Sequence, residues 1–407
     1  MTRSLNPVVV VGGGSTGHGL ARSLGRRGIA VHVISHRGDP AAYSRYFVRR
    51  FTIDKERYDR LALKRALKEI SKEFSKRGVV YPTSDLDALN LAKLKEELPD
   101  DYYFVVGGEE AVRTLVDKRK FYEELSKNDI VHPQTYFPDD LMDAQLLGAK
   151  LDYPVFIRPS ITQLFAEAFP RHGKGFLAHT SRELGYYYRL AKRNGIDVMF
   201  QEVIPGPPSN SYQLEGYYNE NHISLAMFAR QRLRIWPPGF GNTTLCRSIP
   251  MKTLTEQRRS IDNFIANIGY HGLVSAEFKM DERNEEMRLL EINARPWTHF
   301  WLSERCGVNI AFASYMDSIG EGGVPLLSNR YEIGVKSMVL SADIRAALTL
   351  IWNKKLGFRE WASSLRGVRC FAFLSRDDMS PFIFASLTQG YTLLKILLSK
   401  RYPDIAA

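Results

Sequence analysis

A chain of 407 residues is too long for one simple core and divides into two to four packed subdomains. Its hydrophobic content of 44% and charged content of 25% are those of a soluble globular protein, and no apolar run reaches the length that spans a bilayer. The net charge of +11 is spread along the chain without a basic run, zinc finger or RNA-recognition sequence, which argues against a nucleic-acid partner and suits either phosphate-bearing ligands or an ordinary solvated surface.

Three widely separated cysteines, Cys246, Cys306 and Cys370, offer neither a disulfide framework nor a metal knuckle. The start, MTRSLNPVVVVGGG, runs straight into a strand and lacks the pattern of a signal peptide. Both features lead to the expectation of a cytoplasmic protein.

Residues 8 to 11 read as a buried parallel strand, followed by Gly12-x-Gly14-x-x-Gly17 and a helix carrying Leu20 and Leu24; IAVHVIS is the second strand. This fingerprint suggests a dinucleotide site. The acid expected after the second strand is replaced by Ser35-His36-Arg37, and Arg37 would meet a 2′-phosphate, so one reading is an NADP-dependent oxidoreductase. The other is a glycine turn that packs a helix tightly onto a sheet.

A Lys/Arg/Glu-rich amphipathic helix at 58 to 77, the strand and loop GVVYPTSD and the strand YYFVVGG complete a small doubly wound domain over residues 1 to 112. One helix, EEAVRTLVDKRKFYEELSKNDI, is expected next, then a proline-marked connector, VHPQTYFP. YPVFIRPS is a strand entering a loop, VMFQEVIPGPP a strand ended by prolines and glycine, and residues 211 to 241 a hairpin turning at 219 to 221. A helix at 254 to 268 precedes two acidic strands. Beyond residue 330 the chain is basic, aromatic and expected to be mostly helical.

The acidic strands are VSAEFKMD and RLLEINARPW, joined by the polar turn ERNEE. A hairpin folded symmetrically about residue 284 sets Glu277 opposite Glu291. Ala276, Phe278 and Met280 then share a face with Leu290, Ile292 and Ala294, while Glu277 and Lys279 share the other with Glu291, Asn293 and Arg295. Like charges directly opposite are destabilising unless a cation lies between them. Two carboxylates and an amide oxygen are ligands that Mg²⁺ takes, leaving positions for water and phosphate. The alternative is a solvent-facing hairpin whose acids are neutralised by Lys279 and Arg295.

An acid in one strand and Glu-x-Asn-x-Arg in the next, after QEVIPG and FIRPS, resembles the ATP-grasp superfamily of ligases over roughly residues 1 to 320. ARSLGRRG and the YSRY segment at 43 to 46 look most like the carboxylate–amine ligases that include D-aspartate ligase. The resemblance implies an α/β and α+β multidomain fold: a Rossmann-like pre-ATP-grasp domain (1 to 112) that binds no dinucleotide, two ATP-grasp lobes (113 to 205 and 206 to 325, the second with the metal site) and a helical extension (326 to 407).

It also implies roles. Lys118 would contact ATP phosphates, and Arg158 stands where a lysine usually touches the α- and β-phosphates; an arginine fork is competent to pair bidentately with phosphate oxygens, at a different geometry and affinity. Lys174, between Gly173 and Gly175, would end a mobile lid, with a plain connecting loop as the alternative. Gln201, Glu202, Val203 and Ile204 would form the hinge under adenine, Glu202 accepting from its exocyclic amine. Arg232, in preference to Arg234, would contact phosphate; Glu277, Glu291 and Asn293 would hold Mg²⁺, as two ions or with Mn²⁺ in its place; and Arg295 would face the transferred phosphate.

The implied reaction joins a small carboxylate to an amine through an acyl-phosphate, giving ADP and phosphate. No nucleophilic side chain is required, and His299 is a candidate base for the amine. Similar proteins are commonly homodimers. The helix expected at 380 to 403, apolar nearly all round, would dock on the body or lie on a membrane surface. FREWASSLRG and RDDMSPF resemble segments of ligases near polysaccharide or cell-envelope pathways. A non-catalytic ATP-binding homologue is the remaining alternative.

Overall fold

The computed structural model describes residues 5–170, 172–321 and 330–388. Three sheets organise the chain. The first is five-stranded and wholly parallel, in the order Phe47–Thr52, Val31–Ser35, Val8–Val11, Gly78–Pro82, Tyr102–Phe104. The four valines of Val8–Val11 are fully buried, as a central strand covered on both faces requires. The helix Arg60–Ser71 covers one face through Leu63, Leu67 and Ile70, and Asp59 caps it by accepting from the Ala62 N–H at 2.7 Å. The chain reverses its winding between Val8–Val11 and Gly78–Pro82, so the loops leaving their carboxyl ends lie side by side at a switch point.

The second sheet has four antiparallel strands, Thr135–Tyr136, Val198–Glu202, Val155–Pro159 and Phe176–Ala178. The third has seven: Met287–Asn293, Gly272–Met280, Ser211–Tyr218, Ser224–Trp236, Asn242–Ser248, Lys336–Met338 and Val368–Phe371. The functional cleft lies between these two sheets.

Two expectations are corrected here. The helix expected over 109 to 130 is two helices, Glu109–Val116 and Lys118–Lys127. Asp117 leaves the helical region at ψ 111° and its carboxylate accepts from the N–H groups of Arg119 and Lys120, so it ends one helix and caps the next, with Lys118 as the first residue of the second. The extension beyond 330 is also not simply helical. Besides the helices Leu340–Trp352 and Phe358–Ser364 it adds two strands, Lys336–Met338 and the edge strand Val368–Phe371, to one side of the seven-stranded sheet.

Two sets of contacts anchor the described part of the extension. Arg234 donates from Nε to Asp343 Oδ1 at 2.8 Å, a fully buried acid that also accepts from Thr244. Farther on, Arg26 forks onto Asp377, and Asp378 accepts from Ser44 Oγ at 2.5 Å and from His18 Nε2 at 3.0 Å; His18 Nδ1 lies 3.1 Å from the Ala372 carbonyl. A helix over 380–388 follows, and the rest of the helix expected to 403 lies outside the described residues.

Candidate active site

The hairpin pairs Ser275 with Asn293, Ala276 with Ile292 and Glu277 with Glu291, so the two acids face each other as expected. One residue later the register slips, and Phe278 pairs with Leu289. Leu290 is therefore the extra residue of a β-bulge. This corrects the expected facing: Leu289 is buried with Phe278, and Leu290 turns into the cleft. The Leu290 carbonyl accepts from the buried Tyr122 hydroxyl at 2.6 Å.

Lys279 and Arg295 lie near the acids but direct their hydrogen bonds elsewhere. Lys279 donates to the Gly206 carbonyl at 2.7 Å, and Arg295 Nε donates to Asp85 Oδ1 at 2.7 Å. Glu277 Oε1 instead receives Arg232 Nη2 at 2.7 Å, while Glu291 Oε2 receives Arg158 Nη2 at 2.8 Å with Lys118 Nζ 3.7 Å away. Burial alone would raise the Glu291 carboxyl, but Lys118, Lys174 and Arg158 together hold it well below the usual carboxylate range. Burial lowers the Lys118 ammonium from its ordinary value against the pull of Glu291.

The cleft these groups line has a volume of about 420 Å³. One end is charged, with Arg158, Lys174, Arg232, Glu277 and Glu291; the other is apolar, with Phe156, Leu177, Ile204, Phe240 and Leu290. Phe240, from the loop after Ser224–Trp236, stacks on Phe156 with ring centroids 4.2 Å apart. Arg158 is held from behind as well, donating from Nη1 to the Tyr122 hydroxyl at 3.1 Å and to Gln201 Oε1 at 3.3 Å. Such a surplus of cations around two acids suits a polyanion and a divalent metal together.

The metal set fits in part. Glu277 and Glu291 present hard oxygen ligands to the cleft, and Asn293 lies next to Glu291, its Nδ2 3.4 Å from Glu291 Oε1. Asn293 Oδ1 already accepts from Arg295 Nη2 at 3.1 Å. Among the described residues no cluster of three His, Cys, Asp or Glu could hold a metal alone. Two acids and an amide would therefore leave about half of an octahedral shell to water and phosphate.

Arg232 and Arg234 separate cleanly, because irregularities in the ladder beside them send Arg232 to the cleft and Arg234 to buried Asp343. The expected lid is well anchored: Thr162–Ala168 is helical, and Phe165 and Phe169 are buried against Phe176. Among its described residues the end reaches the cleft through Lys174, where Gly173 has φ +61° and a Cβ on Gly175 would stand 2.5 Å from the Ile157 carbonyl oxygen.

Three assignments change. The Glu202 carboxylate is taken by Arg283, Arg288 at 3.8 Å and the Gln134 N–H at 3.1 Å, so a base could meet only the main chain of Glu202, Val203 and Ile204. His299 is a packed core residue: Nδ1 lies 2.9 Å from Ser337 Oγ, Nε2 lies 3.1 Å from the Thr243 carbonyl, and burial pushes its pKa down to about 3. Both ring nitrogens are engaged away from the cleft, which removes it as a base. The glycine turn is filled from within, since both Asp39 oxygens lie 3.1 Å from the Gly14 N–H. A carboxylate sits where a pyrophosphate would have to bind, and the turn serves close packing: a Cβ on Gly17 would stand 3.3 Å from Val10.

Sequence reasoning missed Tyr122, Phe240 and Asp85. Asp85 begins the helix Asp85–Leu94 at the switch point, where the carboxyl ends of parallel strands carry ligand-facing residues, so its position carried a usable signal. Tyr122 and Phe240 carried none.

No family profile matches the chain. It is 24% identical over 261 residues to D-aspartate ligase of Enterococcus faecium (strain Aus0004), a match covering 61% of this chain and 60% of that protein. The chain thus spans less than two thirds of the length of that relative. Among solved structures it is similar to the biotin carboxylase domain of 2-oxoglutarate carboxylase from Hydrogenobacter thermophilus in complex with MgADP, ADP and bicarbonate, with a TM-score of 0.63 at 16% identity over 82% of this chain and 73% of that one. N5-carboxyaminoimidazole synthetase from Staphylococcus aureus gives 0.60 at 16% identity over 82% of each chain. L-amino acid ligase from Bacillus licheniformis gives 0.57 at 15% identity over 78% and 75%.

Proposed function

We propose, from the premise that the chain has the ATP-grasp fold of its structural relatives, that it is an ATP-dependent ligase joining a small carboxylate to an amine. The observation that carries this reading is Glu277 directly opposite Glu291 on the cleft face, ringed by Lys118, Arg158, Lys174 and Arg232. In this reading residues 1 to 112 are a pre-ATP-grasp domain, 113 to 205 and 206 to 325 are the two nucleotide-binding lobes, and 326 to 407 an extension.

The apolar end takes the base, against Phe156, Ile204 and Leu290 and the main chain of Glu202 to Ile204. Lys118, Arg158, Lys174 and Arg232 hold the triphosphate. Glu277, Glu291 and Asn293 hold one or two Mg²⁺ ions, which when bound supply charge neutralisation at the phosphates. A substrate carboxylate oxygen attacks the γ-phosphorus and ADP leaves; the amine nitrogen then attacks the acyl carbon, expelling phosphate and losing a proton to solvent. Arg295, fixed by Asp85 and Asn293, faces the transferred phosphoryl group. D-Aspartate and L-amino acids are the first substrates to try, by likeness to the named relatives, with cell-wall nucleotide precursors next. The setting is cytoplasmic, and among the described residues no helix is long and apolar enough to cross a membrane. A homodimer is the assembly we expect.

The test is ADP release against pooled carboxylates and amines with Mg²⁺. The ligase shows release only with a particular acid–amine pair, lost in Glu291→Ala and Asn293→Ala with folding retained; unchanged release in both variants overturns it. The tie between Arg158 and Glu291 favours one second reading, a nucleotide-binding protein without turnover, which would bind Mg–ATP yet release no ADP with any pair.

A further inference from the structure

Outside the cleft, the helix Leu340–Trp352 packs on the seven-stranded sheet through Asp343, Ala346 and Ala347. Its outer stripe is nevertheless apolar: Ile344, Leu348 and Trp352, spaced four apart, are 38%, 63% and 87% exposed. A helix apolar on both faces needs a cover on the outer one. The stripe runs on through a turn to Phe358, which is 66% exposed. A second exposed row, Met379, Ile383 and Leu387, lies on residues 379–388, which meet the start of the first helix at a crevice lined by Leu340, Phe371, Phe382 and Ala385.

The charge around the stripe is one-sided. Residues 344 to 359 carry Arg345, Lys354, Lys355 and Arg359 and no Asp or Glu. Asp343, just before them, is buried against Arg234; Glu360, just after, accepts from the Gly357 N–H at 3.4 Å and leaves four cations facing one exposed acid over residues 344 to 360. Lys354, Lys355 and Arg359 are exposed beside Trp352 and Phe358.

We propose that this face docks on an anionic lipid bilayer, Trp352, Leu348 and Phe358 entering the headgroup region while Lys354, Lys355 and Arg359 meet lipid phosphates. An exposed tryptophan bordered by long cations is the chemistry of a peripheral interfacial contact. A second copy of this chain is disfavoured as the cover, because a symmetric contact would bring the same cations together. The proposal does not depend on the ligase reading.

The test is sedimentation of the full chain with phosphatidylcholine vesicles, with and without phosphatidylglycerol. Binding is expected only with the anionic lipid and weakens as salt rises. Lys354→Glu/Lys355→Glu cuts partitioning about tenfold or more, and Leu348→Ser/Trp352→Ser removes it, both with the far-UV circular dichroism and thermal unfolding of the chain unchanged. Failure to bind either vesicle overturns the proposal. So does undiminished binding by both variants, which would put the contact elsewhere on the chain, or a concentration-dependent dimer that the Leu348→Ser/Trp352→Ser variant abolishes.

Discussion

Arg158 reaches across the cleft to donate to Glu291 at 2.8 Å, so the cation proposed for phosphate and the acid proposed for metal neutralise one another before any ligand arrives. Nucleotide binding must exchange that pair for Arg158 on phosphate and Glu291 on Mg²⁺.

Substitution of Arg158 should separate charge from geometry. Its fork also engages Tyr122 and Gln201, which a lysine cannot reproduce. By calorimetry with a non-hydrolysable ATP analogue, Arg158→Ala is expected to weaken binding by about ten- to a hundredfold, from the worth of a charged hydrogen bond. Arg158→Lys should fall between that variant and the parent.

Glu291→Ala should split binding from turnover. Removing the acid leaves Lys118 and Arg158 without their counter-charge, so metal-free ATP should bind at least as tightly as in the parent. With Mg²⁺ present, ADP release should disappear. Equilibrium binding in EDTA, compared with turnover in Mg²⁺, reads both effects.

Acid stability should report on the hairpin turn. Asp281 is held at about 2 by hydrogen bonds from Arg283, with Arg288 adding to them. Because its folded pKa lies below the unfolded value, its contribution is complete above about pH 4 and is lost as the pH falls toward 2. Asp281→Asn should cost about 1–2 kcal/mol at pH 7, allowing for solvent screening at the exposed Arg283, and almost nothing at the acid end. Urea unfolding at several pH values measures the difference.

NADPH should not bind. The Asp39 carboxylate beside the Gly14 N–H repels a pyrophosphate at the Gly12–Gly17 turn. Calorimetry should show no heat with NADPH, and Arg37→Ala should change nothing.

Much of this site was readable in the linear order of residues. Alternation alone set Glu277 against Glu291, because a side-chain period of two leaves little freedom once the turn is located. What failed were single-residue slips and long-range partners. The bulge at Leu290 escaped notice because Leu289 and Leu290 are identical, so the apolar pattern reads equally well in either phase. Lys336–Met338 is too short to show alternation, and it is a strand because Asn242–Ser248 offers it an edge. The engagements of His299, Asp39 and Glu202 depend on residues 25 to 81 positions away, or on main-chain groups that no local pattern names.

The strap formed by Asp377 and Asp378 bears on how the molecule is made. His18, Ser44 and Arg26 emerge early in synthesis, but the oxygens that satisfy them come from residues 372 to 378. The amino-terminal sheet can therefore collapse on the ribosome without being finished, its imidazole and guanidinium still hydrated. Final pairing of those groups waits until residues 372 to 378 have been translated, and a chain cut short before residue 372 would carry the unmet polarity for good.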